Sequence, residues 1–171
     1  MEAPLGEMLA EAMEAQAEGM PTSLLVVPVP LFGRRRMYNQ SALLARGAVR
    51  AVRRMHPDWV MEVAPHCMKR VHHKEAHYLL SPEERRENVR GAFRVEGDVR
   101  GRHLLLVDDV YTTGATVTEC TKTLLAAGAE SVRVVTLARA GTQMPVLWKP
   151  RVRAHEDRNA VGSLKELTFR H

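Results

Sequence analysis

The chain has 171 residues and a mass of 19.2 kDa, a length that encloses one core and excludes a pair of enzyme-sized domains. Hydrophobic residues make up 45% and charged residues 26% of it, and the longest apolar stretch, 24–32, carries Pro28 and Pro30 and is far too short to span a bilayer. The net charge of +5 and pI of about 9.6 favour anionic partners. Arg34, Arg35, Arg36, Arg46, Arg50, Arg53 and Arg54 are concentrated in one segment without an acid among them.

The first segment reads Glu2, Glu7, Glu11, Glu14 and Glu18 before any arginine or lysine. That is the reverse of a secretory leader, so a cytoplasmic location is expected, with no membrane association. Leu5, Met8, Leu9, Ala12 and Met13 recur at helical spacing, which predicts a helix over 5–18 ended by Gly19 and Pro21. Residues 24–29, LLVVPV, read as a buried strand of the kind covered on both faces in a parallel sheet. A helix is predicted over 39–55, with Leu43, Leu44, Ala48, Val49 and Val52 on one face and the arginines mostly off it; Pro57 stops it.

Residues 59–71 predict a weaker strand region. Ser81, Pro82, Glu83 and Glu84 form an N-cap, a first-position proline and an acidic first turn, so a short helix follows. Strands are predicted at 92–95, 104–107 and 131–138, with a helix over 116–127 closed by Gly128. The last strand, helix and strand make a βαβ unit with a right-handed crossover. From residue 141 onward two prolines and dispersed charge break the pattern, so 141–171 read as a tail or extension, dispensable for ligand binding, beside a domain at 1–140. Cys67 and Cys120 lie too far apart for a CxxC motif and are expected to be reduced and buried.

The sharpest chemical signal is LLLVDDVYTTGAT at 104–116. Two adjacent carboxylates repel and gain nothing from an apolar strand, so their place is the carboxyl edge of a parallel sheet, where open α/β folds bind ligands. Thr112, Thr113, Gly114, Ala115 and Thr116 then offer hydroxyls and backbone N–H groups at a helix N-terminus, which suits a phosphate. Acids that accept from sugar hydroxyls beside a loop that donates to phosphate describe a ribose-phosphate site. A Walker A loop needs a lysine after its last glycine, and here Ala115 and Thr116 follow Gly114.

This stretch resembles the phosphoribosyl pyrophosphate (PRPP) signature of type I phosphoribosyltransferases. VPVP at 27–30, NQSALLA at 39–45 and ERRENVRGAF at 84–93 narrow the resemblance to the competence-associated ComF family, over roughly residues 5–140. The resemblance implies an α/β fold with a mainly parallel central sheet, helices on both faces and a small mobile hood. It implies that Asp108 and Asp109 hold the ribose hydroxyls, directly or through Mg²⁺, and that residues 112–116 wrap the 5′-phosphate. It places Arg34, Arg35 and Arg36 over the diphosphate, in a loop shorter than that of relatives, which end it in Gly-Phe-Asn-Gln where this chain has Met37, Tyr38, Asn39 and Gln40. The hood corresponds to 71–90, with Lys74, Arg85 and Arg86 as cations for the leaving group. The family usually has Thr and Gln at the positions of Lys74 and His77, while Asn88 matches.

Relatives commonly carry an N-terminal zinc ribbon of paired CxxC motifs, which this sequence lacks. His66, Cys67, His72, His73 and His77 cluster without recognisable zinc spacing. The implied activity is Mg²⁺-dependent transfer of a phosphoribosyl group from PRPP to an unidentified acceptor. Alternatives are a non-catalytic PRPP or nucleotide-binding regulator, and a competence accessory binding single-stranded DNA or competence-machinery proteins through the basic segment. That segment holds a single aromatic residue, Tyr38, so it makes a poor base-stacking platform. A homodimer is compatible with the sequence.

Overall fold

A computed structural model of the chain describes residues 2–14, 17, 19–31, 39–72, 81–139 and 146–153. The elements in order are α1 (Glu2–Glu14), β1 (Ser23–Pro28), α2 (Gln40–Met55), β2 (Val60–Val63), β3 (Met68–Arg70), α3 (Pro82–Val89), β4 (Phe93–Val95), β5 (His103–Tyr111), α4 (Ala115–Ala126), β6 (Ser131–Arg139) and β7 (Val146–Arg153). The central sheet runs β2-β1-β5-β6-β7, its first four strands parallel and β7 antiparallel to β6.

The apolar runs that predicted two-sided burial are divided between two cores by the period-two geometry of a strand. Leu24, Val26, Leu105 and Val107 face α1 and α2, where they meet Leu9, Met13, Leu44, Ala48 and Val52. Leu25, Val27, Leu104 and Leu106 face the other way, onto Val117, Cys120 and Leu124 of α4 and onto Met68 and Phe93. Helices therefore cover both faces, as the α/β reading requires. The two helices of the first face come unusually close. A Cβ on Gly6 would lie 2.7 Å from backbone atoms of Gly47, so glycine is what lets α1 and α2 meet there.

Residues 59–71 resolve into two strands of different sheets. β2 joins the central sheet, Leu24 opposite Met61, while β3 pairs antiparallel with β4, Lys69 opposite Arg94, in a separate two-stranded sheet. With α3 between them, these strands form a small layer that packs on α4; of the segment 71–90 expected as the hood, residues 73–80 lie outside the described residues. Ser81 makes the expected cap in full: its hydroxyl accepts from the Glu84 amide and the Glu84 carboxylate accepts from the Ser81 amide.

Beyond residue 140 the sheet continues. Residues 146–153, read from sequence as part of a loose tail, form β7 against β6, with Val135 opposite Leu147 and Val132 opposite Val152. The register slips between Val132 and Val134, where β7 passes Lys149, Pro150 and Arg151. A proline without an N–H is accommodated at such an irregularity on an edge strand. That irregularity is also what removed the strand's period from the sequence. Residues 140–145 and 154–171 lie outside the described residues. Among the described residues no helix is long and apolar enough to cross a membrane.

Candidate functional site

The two acids lie within β5, not at its end. The strand pairs with β6 along its whole length, Asp108 opposite Thr136 and Tyr111 opposite Arg139. Its pairing with β1 stops at Pro28 opposite Val107. One residue later the Val29 amide donates to the Val107 carbonyl at 2.8 Å. From Asp108 onward, among the described residues, β5 therefore pairs with a strand on one side only, and the start of α2 approaches the other. The Asn39 side chain caps α2, accepting from the Ala42 amide at 3.4 Å, and its Nδ2 donates to the Val29 carbonyl at 3.0 Å. The Ser41 hydroxyl, in the helix's first turn, donates to Asp108 Oδ1 at 3.3 Å.

Asp108 is 9% exposed. Burial, and then the charge of adjacent Asp109, push its carboxyl from an ordinary 3.8 up to about 7, against the opposing pull of the Asp109 amide and the Ser41 hydroxyl. The Asp109 amide donates to the same Oδ1 at 3.0 Å. Asp109 is half-buried, its Oδ1 accepting from the Val110 amide at 2.9 Å.

The chain then turns through Thr112, Thr113 and Gly114 into α4, which carries Ala115 and Thr116 in its first turn. Gly114 occupies the N-cap in the left-handed region, φ 72°, and a Cβ there would collide with the Tyr111 hydroxyl oxygen. A glycine cap has no side chain to occupy the helix amides. Thr113 Oγ1 accepts from the Ala115 amide at 3.4 Å. The five residues predicted from sequence are thus gathered at one helix N-terminus, adjoining the two acids, and the start of α4, whose glycine cap supplies no side-chain acceptor, favours an anion through its partial positive charge.

Sequence reasoning missed one contributor and one charge near the neighbouring core. Ser41 belongs to the NQSALLA stretch, but no periodicity links it to a carboxylate 67 residues away. Arg70, on β3, lies half-buried with its guanidinium 5.5 Å from the centre of the Phe93 ring, and its Nε donates to the His72 carbonyl. Its charge reaches the fully buried Cys120 thiol of α4, as does that of Asp108. Burial first, and then Asp108, hold that thiol well above the usual range, with Arg70 opposing. The small layer is also tied to α4 by the Gly91 amide, which donates to Glu119 Oε1 at 2.8 Å.

The other predicted residues are distributed differently. Arg34, Arg35, Arg36, Lys74, His73 and His77 lie outside the described residues. Arg85 belongs to α3, its side chain outside the description, and Arg86 pairs with Glu83 at 3.5 Å on the exposed face. Arg46, Arg50 and Arg53 line a cavity of about 320 Å³ with Val49 and Val63, one to three turns along α2 from Ser41. Arg53 also donates to the Met61 carbonyl, fixing α2 to β2.

Among the described residues no three His, Cys, Asp or Glu side chains form a metal-binding group. Two neighbouring carboxylates nonetheless suit Mg²⁺, a hard cation commonly held by one or two carboxylates while waters and substrate oxygens complete its shell. Mutual repulsion at Asp108 and Asp109 is the electrostatic condition that a cation relieves.

The phosphoribosyl transferase domain model matches residues 48–161. The DNA utilization protein YhgH of Escherichia coli is 38% identical over 136 residues, covering 77% of this chain and 57% of that protein. Competence protein F of Haemophilus influenzae is 36% identical over 122 residues, 67% of this chain and 50% of that protein. The chain thus spans little more than half the length of these curated relatives. A hypoxanthine phosphoribosyltransferase from Staphylococcus aureus shares the fold with a TM-score of 0.52 at 15% identity, over 91% of this chain and 69% of that one. The strand that leaves β5 open at its acids, the glycine-capped α4 and these likenesses agree: the chain belongs to the phosphoribosyl transferase domain family, in its ComF-like branch.

Proposed function

We propose that the chain binds PRPP with Mg²⁺ and transfers its 5-phosphoribosyl group to an acceptor nucleophile, with release of diphosphate. The observation that carries this reading is the departure of β1 from β5 at Val107, which leaves Asp108 and Asp109 beside the glycine-capped start of α4. In this reading Asp108 and Asp109 accept from the ribose hydroxyls and hold the cation. The amides and hydroxyls of residues 112–116 donate to the 5′-phosphate. Bound Mg²⁺ would neutralise charge on the leaving diphosphate.

The chain's own task is to fix C1 of the sugar in line between acceptor and leaving group, because positioning and preorganised charge supply most of the acceleration of such a transfer. Arg34, Arg35 and Arg36 are assigned to the diphosphate. Lys74 and Arg85 are assigned to a hood over the site that excludes water from an electron-poor sugar carbon. The test is isothermal titration of the full chain with PRPP and Mg²⁺, followed by a screen of bases and amines for diphosphate release. Tight binding with turnover is the expected result. Binding without release would leave a PRPP-binding regulator, and no binding at all would end both readings.

The arginine-lined groove on α2 favours an additional role, contact with the phosphates of single-stranded DNA, in keeping with the names of the relatives in Escherichia coli and Haemophilus influenzae. Three cations without interleaved aromatics make a contact dominated by counterion release, so affinity should fall steeply with salt. A sequence-selective, salt-insensitive complex, measured by fluorescence anisotropy, would contradict it.

A further inference from the structure

We propose that Ser41 is a positioning residue, setting the orientation of the Asp108 carboxyl group through its buried hydroxyl. Ser41 is 3% exposed, and its neighbours on the buried side of α2 include Ala42, Ala45 and Ala48. A hydroxyl among alanines does no packing that a methyl group would not do. It does not cap the helix either, since Asn39 holds that position and its side chain accepts from the Ala42 amide. The Ser41 hydroxyl instead donates to Asp108 Oδ1, across 67 residues of sequence.

Three bonds converge at this point. Asn39 Nδ2 fastens the start of α2 to the Val29 carbonyl at the end of β1. Ser41 fastens the same turn to β5 at 3.3 Å, and the Asp109 amide donates to the same carboxylate oxygen at 3.0 Å. Rotation of the Asp108 carboxyl about its terminal torsion, a broad and otherwise soft motion, breaks both bonds to Oδ1 at once. The helix start therefore acts as a fixed bracket on the one flank of Asp108 where β1 no longer runs. A carboxylate that must meet a sugar hydroxyl within a few tenths of an ångström gains from such support.

This role rests on the phosphoribosyl reading for its purpose, and the test separates the two. The wild-type chain, Ser41→Ala and Ser41→Thr are titrated, with Mg²⁺ present, against ribose 5-phosphate and against inorganic diphosphate. Ser41→Ala is expected to weaken ribose 5-phosphate about tenfold while diphosphate changes less than about twofold, and Ser41→Thr, which keeps the hydroxyl, to restore most of the loss. Equal ribose 5-phosphate affinity in Ser41→Ala and wild type would overturn the proposal, as would an equal loss for both ligands, which denotes a general displacement of α2.

A second readout needs no ligand. In the unliganded chain the Asp109 amide resonance should move in Ser41→Ala, because that amide shares Oδ1 with the Ser41 hydroxyl, and should return toward its original position in Ser41→Thr. An Asp109 amide indifferent to Ser41→Ala overturns the positioning contact. If the wild type binds neither ribose 5-phosphate nor PRPP, the phosphoribosyl reading fails, and the amide alone decides whether Ser41 orients Asp108.

Discussion

The two halves of β5 make opposite use of the same strand geometry. Leu104, Leu105, Leu106 and Val107 have β1 on one side, β6 on the other and side chains at most 1% exposed. Asp108, Asp109, Val110 and Tyr111 keep β6 but lose β1. Where both neighbours are present, apolar side chains fill two cores. Where one leaves, the vacated flank admits the start of α2, and the strand carries acids that no core would accept. The boundary between the apolar half and the half that carries the candidate site is thus the residue at which a neighbouring strand turns away.

Substitutions on either side of that boundary should behave differently. Leu106→Ala, in the first half, is expected to cost about 2–5 kcal/mol of stability through the cavity it leaves, read as a lower midpoint in chemical unfolding. Any loss of ligand affinity should disappear in conditions where the variant is fully folded.

Asp108→Asn should act in the reverse sense. The carboxyl is raised from 3.8 to about 7 in the folded chain, so the native state holds this proton more tightly than the unfolded one. Its contribution is fully present below about pH 4 and is lost as pH rises through about 7, a difference on the order of 4 kcal/mol at most. Asparagine carries no such proton. The unliganded variant should therefore melt higher than wild type at pH 8, with the gain vanishing near pH 4, while PRPP affinity with Mg²⁺ falls at least about tenfold. A variant that loses stability at pH 8 would remove the argument that the acid is kept at a cost to the fold.

Gly114→Ala combines a modest loss of stability with a loss of function. A left-handed alanine costs about 1–2 kcal/mol, and its Cβ would collide with the Tyr111 hydroxyl. Ribose 5-phosphate affinity should drop while the pH dependence of unfolding stays that of wild type. Arg54→Ala provides a control far from β5. Its pair with Glu7, at 3.2 Å, joins side chains 63% and 55% exposed, so the change in stability should be about 0.5 kcal/mol or less, and a larger drop in melting temperature would count against treating the pair as a surface contact.

Much of this arrangement is legible in the sequence alone. The apolar runs of β1 and β5, the amphipathic α2, the cap at Ser81 and the acid pair before a Thr and Gly turn all declare themselves locally, because periodicity and capping are local properties. The rest depends on partners. The apolar run predicts a strand over 104–107 with the acids at its carboxyl edge, yet β6 carries the pairing on to Tyr111. Residues 59–71 looked like one weak strand region, since nothing in a short run tells which sheet it joins. The helix expected at 5–18 is α1, Glu2–Glu14, starting and stopping earlier. β7 was hidden by Pro150 and its flanking charges. The Ser41 contact with Asp108 was invisible because it exists only once α2 has been laid beside β5.

The same proline has a consequence for how the molecule behaves in company. Without β7, the run SVRVVTLAR of β6 would form the outer border of the described sheet, a valine-rich segment with its ladder groups on that side unpaired. Such a border recruits other chains into cross-strand aggregates. β7 occupies that position with Lys149, Pro150, Arg151 and Arg153 and a slipped register, features that offer an incoming strand a missing donor, repelling positive charge and a broken ladder. A segment that looks too irregular to be structure thereby has the makings of a selvage for the described part of the sheet.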